Sequence, residues 1–420
     1  MPCYSTMEHL QRMSKNTIRF SSNLCAAILG IAILFILCTE IILNLTPPIS
    51  RDALIHHLAI PKLWLENGGF YEMKWATFSY YPMNVDLLYI LPIYFNKDFI
   101  ANFIHMGFGI GTALLIYSYL GKRISRLAGL FGIFIFLSTP MVVRLSTEAY
   151  VDLGLVFFTT ASILAFIRYR DGKYQDFKWL LLSSVAMGLA LGTKYNALIA
   201  WFFLSTAMVY VYSKDTREQW KAVKCGLIFF LISLIVFSPW LIKNAILTGN
   251  PLYPLLKSFF NAVVSTPAQE STYAVGSGGK YRGIFQMREI LYGENFWETL
   301  LIPIRYFFHG QDNNARFFDG VLNPIIIILS PFAFMIKSFY REKLIFICFA
   351  VFFLLIATFL DQTRIRYILP VVPLLSILAV IGWINIWNWL MSRSKQLKYI
   401  GLVVFLSMTV AVMSQNFVYI

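Results

Sequence analysis

The chain has 420 residues, of which 58% are hydrophobic and only 13% are charged. Soluble domains carry roughly twice that charged fraction, so the composition excludes an ordinary soluble protein. The net charge of +14 does not indicate nucleic-acid binding, because most Lys and Arg lie in short clusters between apolar runs and leave no domain-sized basic face. Apolar runs of about 18–22 residues recur along the chain and predict an all-α integral membrane protein.

The first apolar run extends from about Leu24 to Leu43. It is too long for the core of a signal peptide and no small-residue cleavage site follows, so we interpret it as a retained anchor. Basic residues precede this run and recur in short segments after it, which places the N-terminus in the cytoplasm by the positive-inside rule. Residues 1–23 are then a cytoplasmic tail, and residues 24–420 form a polytopic transmembrane domain.

Threading spans between the basic clusters predicts about eleven transmembrane helices, and this odd number puts the C-terminus outside. Two long exterior loops, 45–98 and 243–320, contain enough Pro, Gly and aromatic residues to predict folded, interfacial helices rather than linkers. The fifth and sixth spans are either two short helices or one long broken helix. The predicted spans are 24–44, 99–120, 127–143, 152–168, 178–193, 196–213, 223–242, 321–338, 344–360, 367–389 and 399–418.

The segment RDALIHHLAIPKLWL follows the first span directly. As a helix it places Asp52 and His56, four residues apart, on one face. This pattern predicts an amphipathic helix at the outer interface, with its polar face turned either toward a site or simply toward water. The opposite, apolar face contains Leu54, Leu58, Pro61 and Leu65.

Three further ionisable residues lie at the same predicted exterior level. Glu148 and Asp152, in RLSTEAYVDLGLVFF, stand where the third span ends and the fourth begins, and Lys194, in LGTKYNAL, separates two apolar runs. Ionisable groups at membrane depth are costly and usually serve a site. The alternatives are a helix cap for the two acids and a contact with lipid headgroups for the lysine.

Arg364, Arg366 and Tyr367 open the tenth span from outside, in RIRYILPVVP. Two forked guanidinium groups at this boundary suit a lipid-borne phosphate or pyrophosphate, whereas generic contact with anionic headgroups is the alternative. Carboxylates, a lysine and two arginines from four separate segments thus meet near one depth. They predict a reaction site at the outer membrane face for a lipid-linked, phosphorylated substrate.

The order of these segments resembles the GT-C superfamily of polyprenyl-phosphate-dependent glycosyltransferases. The resemblance is strongest to its family 39-like branch, which is akin to the protein O-mannosyltransferases and the aminoarabinose transferase of lipid A. It spans about positions 50 to 375. The motifs that carry it are RDALIHHLAIPKLWLENGGF, FSYYPMNVDLLY, EAYVDLGL, LGTKYNAL, GNPLYPLL and RIRYILPVVP.

The resemblance implies a catalytic carboxylate in the first exterior loop, and Asp52 matches that position. Asp52 would act as general base on the acceptor hydroxyl while the sugar's anomeric carbon is attacked opposite the departing phosphate, with inversion. Many relatives have a second acid beside this Asp, but here the neighbours are Arg51 and Ala53. Asp152 or Glu148 would then supply the second carboxylate.

The resemblance also implies a cationic site for the lipid phosphate. Lys194, together with Arg364 or Arg366, would contact that phosphate. Asp86 falls where relatives often carry an acid, and we assign it a structural or acceptor-side role. The candidate substrate-binding residues are His56, His57, Asp86, Lys194, Arg364, Arg366 and Tyr367.

A divalent metal is a further question. Asp52, His56, His57 and Asp152 could offer oxygen and nitrogen ligands. Adjacent His residues on one helix point about 100° apart, which makes it hard for both to reach one ion. We therefore expect no required metal or other cofactor.

The sequence thus predicts a membrane glycosyltransferase of the cell envelope, located in the inner (plasma) membrane with its site at the periplasmic face. Its expected partners are a polyprenyl-phosphate-linked sugar donor and a lipid, glycan or protein acceptor, with no nucleic acid. Two alternatives stay open: a glycan polymerase or ligase that uses a pyrophosphate-linked donor, and a transporter or flippase of lipid-linked sugars. Charges gathered at one face, rather than along a path across the bilayer, argue against transport.

Overall fold

The computed structural model of the chain describes residues 3–256, 259–260, 283–360, 363–393 and 395–416, and the regular structure in these ranges is helical throughout. Parts of the predicted loop 243–320 and the two ends of the chain lie outside them. The α-helices are α1 (Cys3–Asn44), α2 (Ala59–Glu66), α3 (Asn84–Tyr94), α4 (Ile100–Arg123), α5 (Arg126–Leu137), α6 (Pro140–Ser146), α7 (Asp152–Asp171), α8 (Phe177–Leu191), α9 (Ala197–Thr216), α10 (Gln219–Thr248), α11 (Ile284–Tyr292), α12 (Phe296–Leu300), α13 (Ile302–Arg305), α14 (Pro324–Leu329), α15 (Tyr340–Leu360), α16 (Val372–Arg393) and α17 (Lys395–Asn416).

The all-helical membrane architecture is confirmed, whereas the count of eleven spans is not. Among the described residues, helices occupy each of the eleven predicted segments. In the described part of the chain, seven helices are long and apolar enough to cross a membrane, or eight if the bent pair α5 and α6 forms one span. The fifth and sixth spans are two separate helices, α8 and α9, joined at Lys194.

The bend between α5 and α6 shapes the site. The two helices are inclined by 73° to each other. Pro140 is the first residue of α6, and a proline at this position begins a helix while its ring disfavours continuation of the preceding one. The bend brings α6 and the loop 147–151 next to the start of α7, so that residues of this loop reach the interior of the bundle.

The bundle is built around α7 and α16, the two most buried of the long apolar helices. The α7 helix packs against α4 and α8, and α10 packs against α8 and α9. The α16 helix packs against α14 and against a 3₁₀ helix, Ser330–Met335. The α1 helix is peripheral, and only 17% of its apolar stretch is buried within the chain.

The first loop segment, residues 45–98, contains helices, as predicted, but not the single amphipathic helix expected after Asp52. A π-helical turn covers Ala53–His57 and is closed by a bond from Leu58 N to Ala53 O at 2.8 Å, and α2 follows. The wider turn shifts the residues that follow out of the spacing of an α-helix. Leu54 is consequently 53% exposed, while Leu58 is buried.

The second loop segment, residues 243–320, contains α11, α12 and α13, followed by a short 3₁₀ helix at Ala315–Phe317. Met141 N donates to Val321 O at 3.0 Å, and Ile365 N donates to Phe318 O at 2.8 Å. These two bonds fasten the end of the segment to α6 and to the 3₁₀ helix Ile365–Val371 that precedes α16. Both loop segments therefore meet over the same end of the helical bundle, which we call the loop side.

Candidate active site

A cavity of about 720 Å³ opens on the loop side of the bundle. Four separate stretches of chain form its walls: the end of α1 with the residues after it, α6 with its following loop, the end of the second loop segment, and the start of the 3₁₀ helix before α16. Its apolar wall lies beside α1. The charged residues that line it are Arg51, Asp52, Arg144, Glu148, Asp319, Arg364 and Arg366.

Asp52 and Arg366 form an ion pair at this cavity. The Nη1 atom of Arg366 lies 2.6 Å from Oδ2 of Asp52, and the side chains are 12% and 26% exposed. The guanidinium also lies over the rings of Tyr150 and Tyr367, at 5.3 Å and 5.2 Å from their centroids. Its Nε atom is buried and has no hydrogen-bond partner among the described residues.

The charge of Arg366 governs the basicity of Asp52. Burial raises the pKa of Asp52, but the attraction of Arg366 and its hydrogen bond outweigh burial and hold that pKa below its ordinary value. Asp52 is therefore a carboxylate at neutral pH. It becomes a stronger base only if the guanidinium is drawn away.

Asp152 and Lys194 form a second ion pair, behind the cavity. Lys194 Nζ donates to Asp152 Oδ1 at 2.7 Å, and the side chain of Asp152 is only 2% exposed. The ammonium group also lies 4.5 Å from the ring centroid of Tyr367. None of these three side chains lines the cavity. This pair joins the start of α7 to the junction between α8 and α9.

His57 and Asp86 form a third, buried pair that also lies away from the cavity wall. Nδ1 of His57 is 2.6 Å from Oδ1 of Asp86, and both side chains are nearly inaccessible. Burial raises the pKa of Asp86 to about 8 and lowers that of His57 to about 3, so the two groups share a proton as a neutral pair. The neighbouring His56 stacks on Phe78 at 4.2 Å. This arrangement packs the π-helical turn at Ala53–His57 onto α3, within the first loop segment.

Glu148 lines the cavity and belongs to an ionic cluster around Arg144. Arg144 lies 3.6 Å from Glu148, 2.9 Å from Asp312 and 3.1 Å from Asp319. Burial raises the pKa of Glu148 to about 7 in spite of this arginine. Its Oε2 atom is buried and has no hydrogen-bond partner in the described part of the chain. Two carboxyl groups of one cavity, Asp52 and Glu148, thus differ in their readiness to hold a proton.

Arg364 lines the cavity beside Arg366. Within the described ranges, no carboxylate lies within ion-pair distance of its guanidinium, although its charge lowers the pKa of nearby Asp319. Its backbone is extended, with φ of −122° and ψ of 137°. Arg364, like the more exposed Arg51, is therefore a cavity cation that is available to an anionic ligand.

Sequence reasoning missed the residues that hold the loop between α6 and α7. His105, on α4, lies within 2.8 Å of the carbonyl oxygens of Leu145 and Glu148 through Nδ1, and its Nε2 accepts from Leu153 N at 2.9 Å. One imidazole thus bridges both sides of the loop that carries Glu148 and precedes Asp152. A lone histidine inside an apolar span was the available signal. Arg144 and Asp319 gave no signal, since their pairing depends on the tertiary fold.

The predicted residues fall into two sets. Asp52, Glu148, Arg364 and Arg366 meet at the cavity, whereas Asp86, Asp152, His56, His57, Lys194 and Tyr367 lie around it. Among the described residues, no group of three or more His, Cys, Asp or Glu is arranged to hold a metal ion. The two histidines contact Phe78 and Asp86 instead of converging with the two aspartates.

This chain is similar to one protein-family model and to membrane proteins of known structure. A family model described as dolichyl-phosphate-mannose-protein mannosyltransferase matches residues 89–242, and no curated protein matches the chain by sequence. ArnT from Cupriavidus metallidurans, in the apo state, has a TM-score of 0.56 and 15% identity, with coverage of 90% of this chain and 63% of ArnT. The same protein bound to undecaprenyl phosphate has a TM-score of 0.57 with equal identity and coverage.

An archaeal structure has a similar fold. The oligosaccharyltransferase AglB from Archaeoglobus fulgidus, in complex with an inhibitory peptide and a dolichol-phosphate, has a TM-score of 0.55 and 12% identity, with coverage of 94% of this chain and 56% of AglB. The chain thus spans less than two thirds of the length of these solved structures. The resemblance that the sequence motifs indicated is confirmed in the architecture: the described part of this chain is helical and has the fold of ArnT and AglB.

Proposed function

We propose that this protein is a glycosyltransferase that moves one sugar from a polyprenyl-phosphate-linked donor to an acceptor, in the cavity on the loop side. The observation that carries the proposal is the ion pair of Asp52 and Arg366, a carboxylate and a guanidinium 2.6 Å apart at the cavity wall. A sugar transfer from a phosphate carrier needs both a base for the acceptor and a cation for the leaving phosphate. The acceptor would be a lipid, a glycan or a protein.

The dimensions of the cavity favour a small donor head. Cavities of roughly 300–1,000 Å³ bury ligands of drug size, and the volume here is about 720 Å³. This space suits one sugar phosphate with the reacting end of an acceptor, rather than the oligosaccharide of a polymerase or ligase. The apolar wall beside α1, with Leu43, Pro47 and Pro48, offers a surface for the first isoprene units.

The comparisons support the same class of donor. The matching ArnT structure holds undecaprenyl phosphate, and the matching AglB structure holds a dolichol-phosphate. Both ligands are polyprenyl phosphates. The family model that matches residues 89–242 is also described by a dolichyl-phosphate sugar donor.

In the proposed reaction, the acceptor oxygen attacks the anomeric carbon from the face opposite the phosphate. The proton of the acceptor passes to the carboxylate of Asp52 as the new carbon–oxygen bond forms. The bond from the anomeric carbon to the phosphate oxygen breaks, and its electron pair stays on that oxygen. Arg366 and Arg364 neutralise the resulting polyprenyl phosphate, so the scheme needs no metal ion.

Because of Arg366, donor binding would precede proton transfer to Asp52. In this structure Arg366 holds Asp52 and lowers the pKa of that carboxylate. A phosphate that binds Arg366 competes with Asp52 for the guanidinium and adds negative charge beside it, and both effects raise the basicity of Asp52. Asp52 thus becomes an effective base when the donor is in place.

The location follows from the charge pattern. We propose that the loop side faces the periplasm or cell exterior, because the basic clusters flank the opposite ends of the spans. The carrier's phosphate would lie near the outer leaflet, at the depth of Arg364 and Arg366. The N-terminus is then cytoplasmic.

The test uses purified protein in lipid nanodiscs with radiolabelled polyprenyl-phosphate sugars, polyprenyl-pyrophosphate sugars and an envelope extract as acceptor source. We expect the parent to consume a monophosphate donor, and Asp52→Asn to lower turnover by about a hundredfold to ten-thousandfold, with undecaprenyl phosphate binding retained. Asp98→Asn, an exposed carboxylate in the same loop segment, is the matched control. Consumption of pyrophosphate donors alone, or lipid translocation without consumption, would contradict the proposal.

A further inference from the structure

The second loop segment contains a fully buried arginine. Arg288, on α11, is 0% exposed. It donates to both carboxylate oxygens of Glu294, from Nε at 2.5 Å and from Nη2 at 2.8 Å. Its guanidinium carbon lies 4.9 Å and 5.0 Å from the ring centroids of Tyr292 and Phe318. A guanidinium enclosed in this way has a single orientation, because its planar fork is matched on every side.

Two further hydrogen bonds join Arg288 to residues next to the cavity wall. Arg288 Nη2 donates to the carbonyl oxygen of Arg316 at 2.7 Å, and Nη1 donates to Oγ1 of Thr363 at 2.9 Å. Ala315, next to Arg316, lines the cavity, as does Arg364, next to Thr363. Arg288 thus contacts the chain immediately beside two parts of the cavity wall.

The extended backbone at Arg364 explains how the bond between Arg288 and Thr363 fixes the side chain of Arg364. Side chains on extended backbone alternate between two faces, and Arg364 is extended. Thr363 binds Arg288, and Ile365 N donates to Phe318 O at 2.8 Å. Residues 363 and 365 are therefore held by the second loop segment, and the intervening Arg364 lines the cavity.

Arg305 provides an internal comparison. Its Nη2 donates to Oε1 of Glu294 at 3.0 Å, so it shares the acid with Arg288. In the described residues no bond joins Arg305 to Thr363 or to the chain around it. Arg305 therefore belongs to the same ionic cluster and contacts the ring of Phe318, 5.4 Å from its centroid, but it does not share the bond from Arg288 to Thr363.

We propose that Arg288, acting through Thr363, is a positioning residue that holds Arg364 and Arg366 at the cavity wall for the phosphate of the donor. This inference rests on the proposed function, because it assigns the phosphate to these two arginines. The hydroxyl of Thr363 accepts the hydrogen bond from Arg288 that joins this residue to the second loop segment. The buried ionic cluster thus supports the binding site from behind.

The first test replaces the hydroxyl and leaves the arginine in place, because loss of Arg288 strands the buried Glu294 and endangers folding. We expect Thr363→Val to weaken binding of undecaprenyl phosphate in nanodiscs about five- to tenfold, the fold-change that the net loss of one typical hydrogen bond supplies. Thr363→Ser keeps the hydroxyl and should restore binding to the parent value. Arg305→Lys should bind within twofold of the parent.

A second measurement tests whether Arg288 holds the chain at Arg364, and it does not depend on which ligand binds. Hydrogen exchange of the amides of residues 364–367, without lipid, should be faster in Thr363→Val and Arg288→Lys than in the parent and Arg305→Lys. The double variant Arg288→Lys with Thr363→Val should bind undecaprenyl phosphate no more weakly than whichever single variant binds it less tightly. The two substitutions remove the same hydrogen bond, so their effects should not add.

The outcomes are distinct. Unchanged exchange and unchanged lipid affinity in Thr363→Val would overturn the inference, as would equal losses in Thr363→Val and Thr363→Ser. Additive losses in the double variant would show that the two residues act separately and would also overturn it. If the parent fails to bind undecaprenyl phosphate, the proposed function fails, and with it the assigned ligand; the exchange result still decides whether Arg288 holds the chain at Arg364.

Discussion

The two acid–base pairs of the site have nearly the same geometry and very different access. Asp52–Arg366 and Asp152–Lys194 have closest N–O distances of 2.6 Å and 2.7 Å. The first carboxylate lines the cavity and is 26% exposed, whereas the second is 2% exposed and lies behind the wall. Residue type and pair geometry therefore do not separate the pair that we propose to react from the enclosed one, and contact with the cavity does.

The difference in exposure gives the two pairs different roles in the proposed reaction. There, Asp52 receives a proton from an acceptor in the cavity, and Arg366 exchanges its partner for a phosphate. Asp152 is enclosed, and its direct ion-pair partner is Lys194, at 2.7 Å. Tyr367 contacts both cations, at 5.2 Å and 4.5 Å from its ring centroid, and connects the two pairs.

The largest expected difference is in stability. Lys194→Met leaves a buried, unpaired carboxylate, and we expect it to lower the free energy of unfolding by about 3–5 kcal/mol. Arg366→Met leaves Asp52 in contact with the water of the cavity, and its cost should be about 1 kcal/mol. Denaturant titration of both variants in detergent micelles measures the contrast, with the exposed Lys97→Met as control. Equal losses would mean that the two pairs are equally buried.

Replacing both residues of each ion pair tests the same difference in burial between the two pairs. The double variant Asp152→Leu with Lys194→Met should regain about 3–5 kcal/mol relative to Lys194→Met, because two buried charges are then replaced by apolar contacts. The corresponding Asp52→Leu with Arg366→Met should regain less than about 1 kcal/mol, since its charges face water. A recovery of the same size for both pairs would contradict the distinction.

A pH series compares the two carboxyl groups of the cavity. Burial raises the pKa of Glu148 from its ordinary value near 4.5 to about 7. The folded protein then binds more protons than the unfolded chain between these pH values, so Glu148 lowers stability as pH rises from 4.5 to 7 and adds no further change above 7.

The matching variant is Glu148→Gln, which does not titrate. Its stability relative to the parent should grow by on the order of 2 kcal/mol between pH 4.5 and 7 and then level off. Asp52→Asn should show no such rise in this window, because Arg366 keeps the pKa of Asp52 below its ordinary value. A difference that is flat from pH 4.5 to 8 for Glu148→Gln would contradict the assigned protonation.

The smallest expected effect concerns Tyr367, which both cations share. Tyr367→Leu removes two cation–ring contacts and should lower the free energy of unfolding by about 1 kcal/mol. Tyr367→Phe keeps the ring and should cost less than half of that. Thermal unfolding of the two variants checks the prediction, and an equal loss in both would assign the role to the hydroxyl group instead.

Much of the fold was predictable from hydrophobicity alone, because each apolar run must become a helix in a bilayer. The span count was not, since α8 is short and α5 and α6 are separated by a 73° bend at Pro140. Composition measures apolar length, and it does not say whether a short or bent helix crosses the membrane. The π-helical turn after Asp52 was also missed, because helical spacing was assumed from the apolar pattern of α2.

The site was predictable in its residues and not in its pairings. Asp52 and Arg366 are over three hundred positions apart in the chain, so that only the tertiary fold brings them together. The sequence places Lys194 and Arg366 at one depth, but depth does not tell which of them faces a cavity. Arg288, an unremarkable residue of a loop by sequence, supports the wall because its burial and its bond to Thr363 depend on the folded second loop segment.

The most direct test of the central claim is the affinity for undecaprenyl phosphate of the parent, Arg366→Gln and Lys194→Gln, measured side by side in nanodiscs at one ionic strength. Arg366→Gln should weaken binding by about tenfold or more, as loss of a charge-assisted contact requires. Lys194→Gln should stay within about threefold of the parent in the fraction that remains folded. The opposite order, with binding lost in Lys194→Gln and kept in Arg366→Gln, would place the lipid phosphate at the buried pair and contradict the assignment of the cavity as the active site.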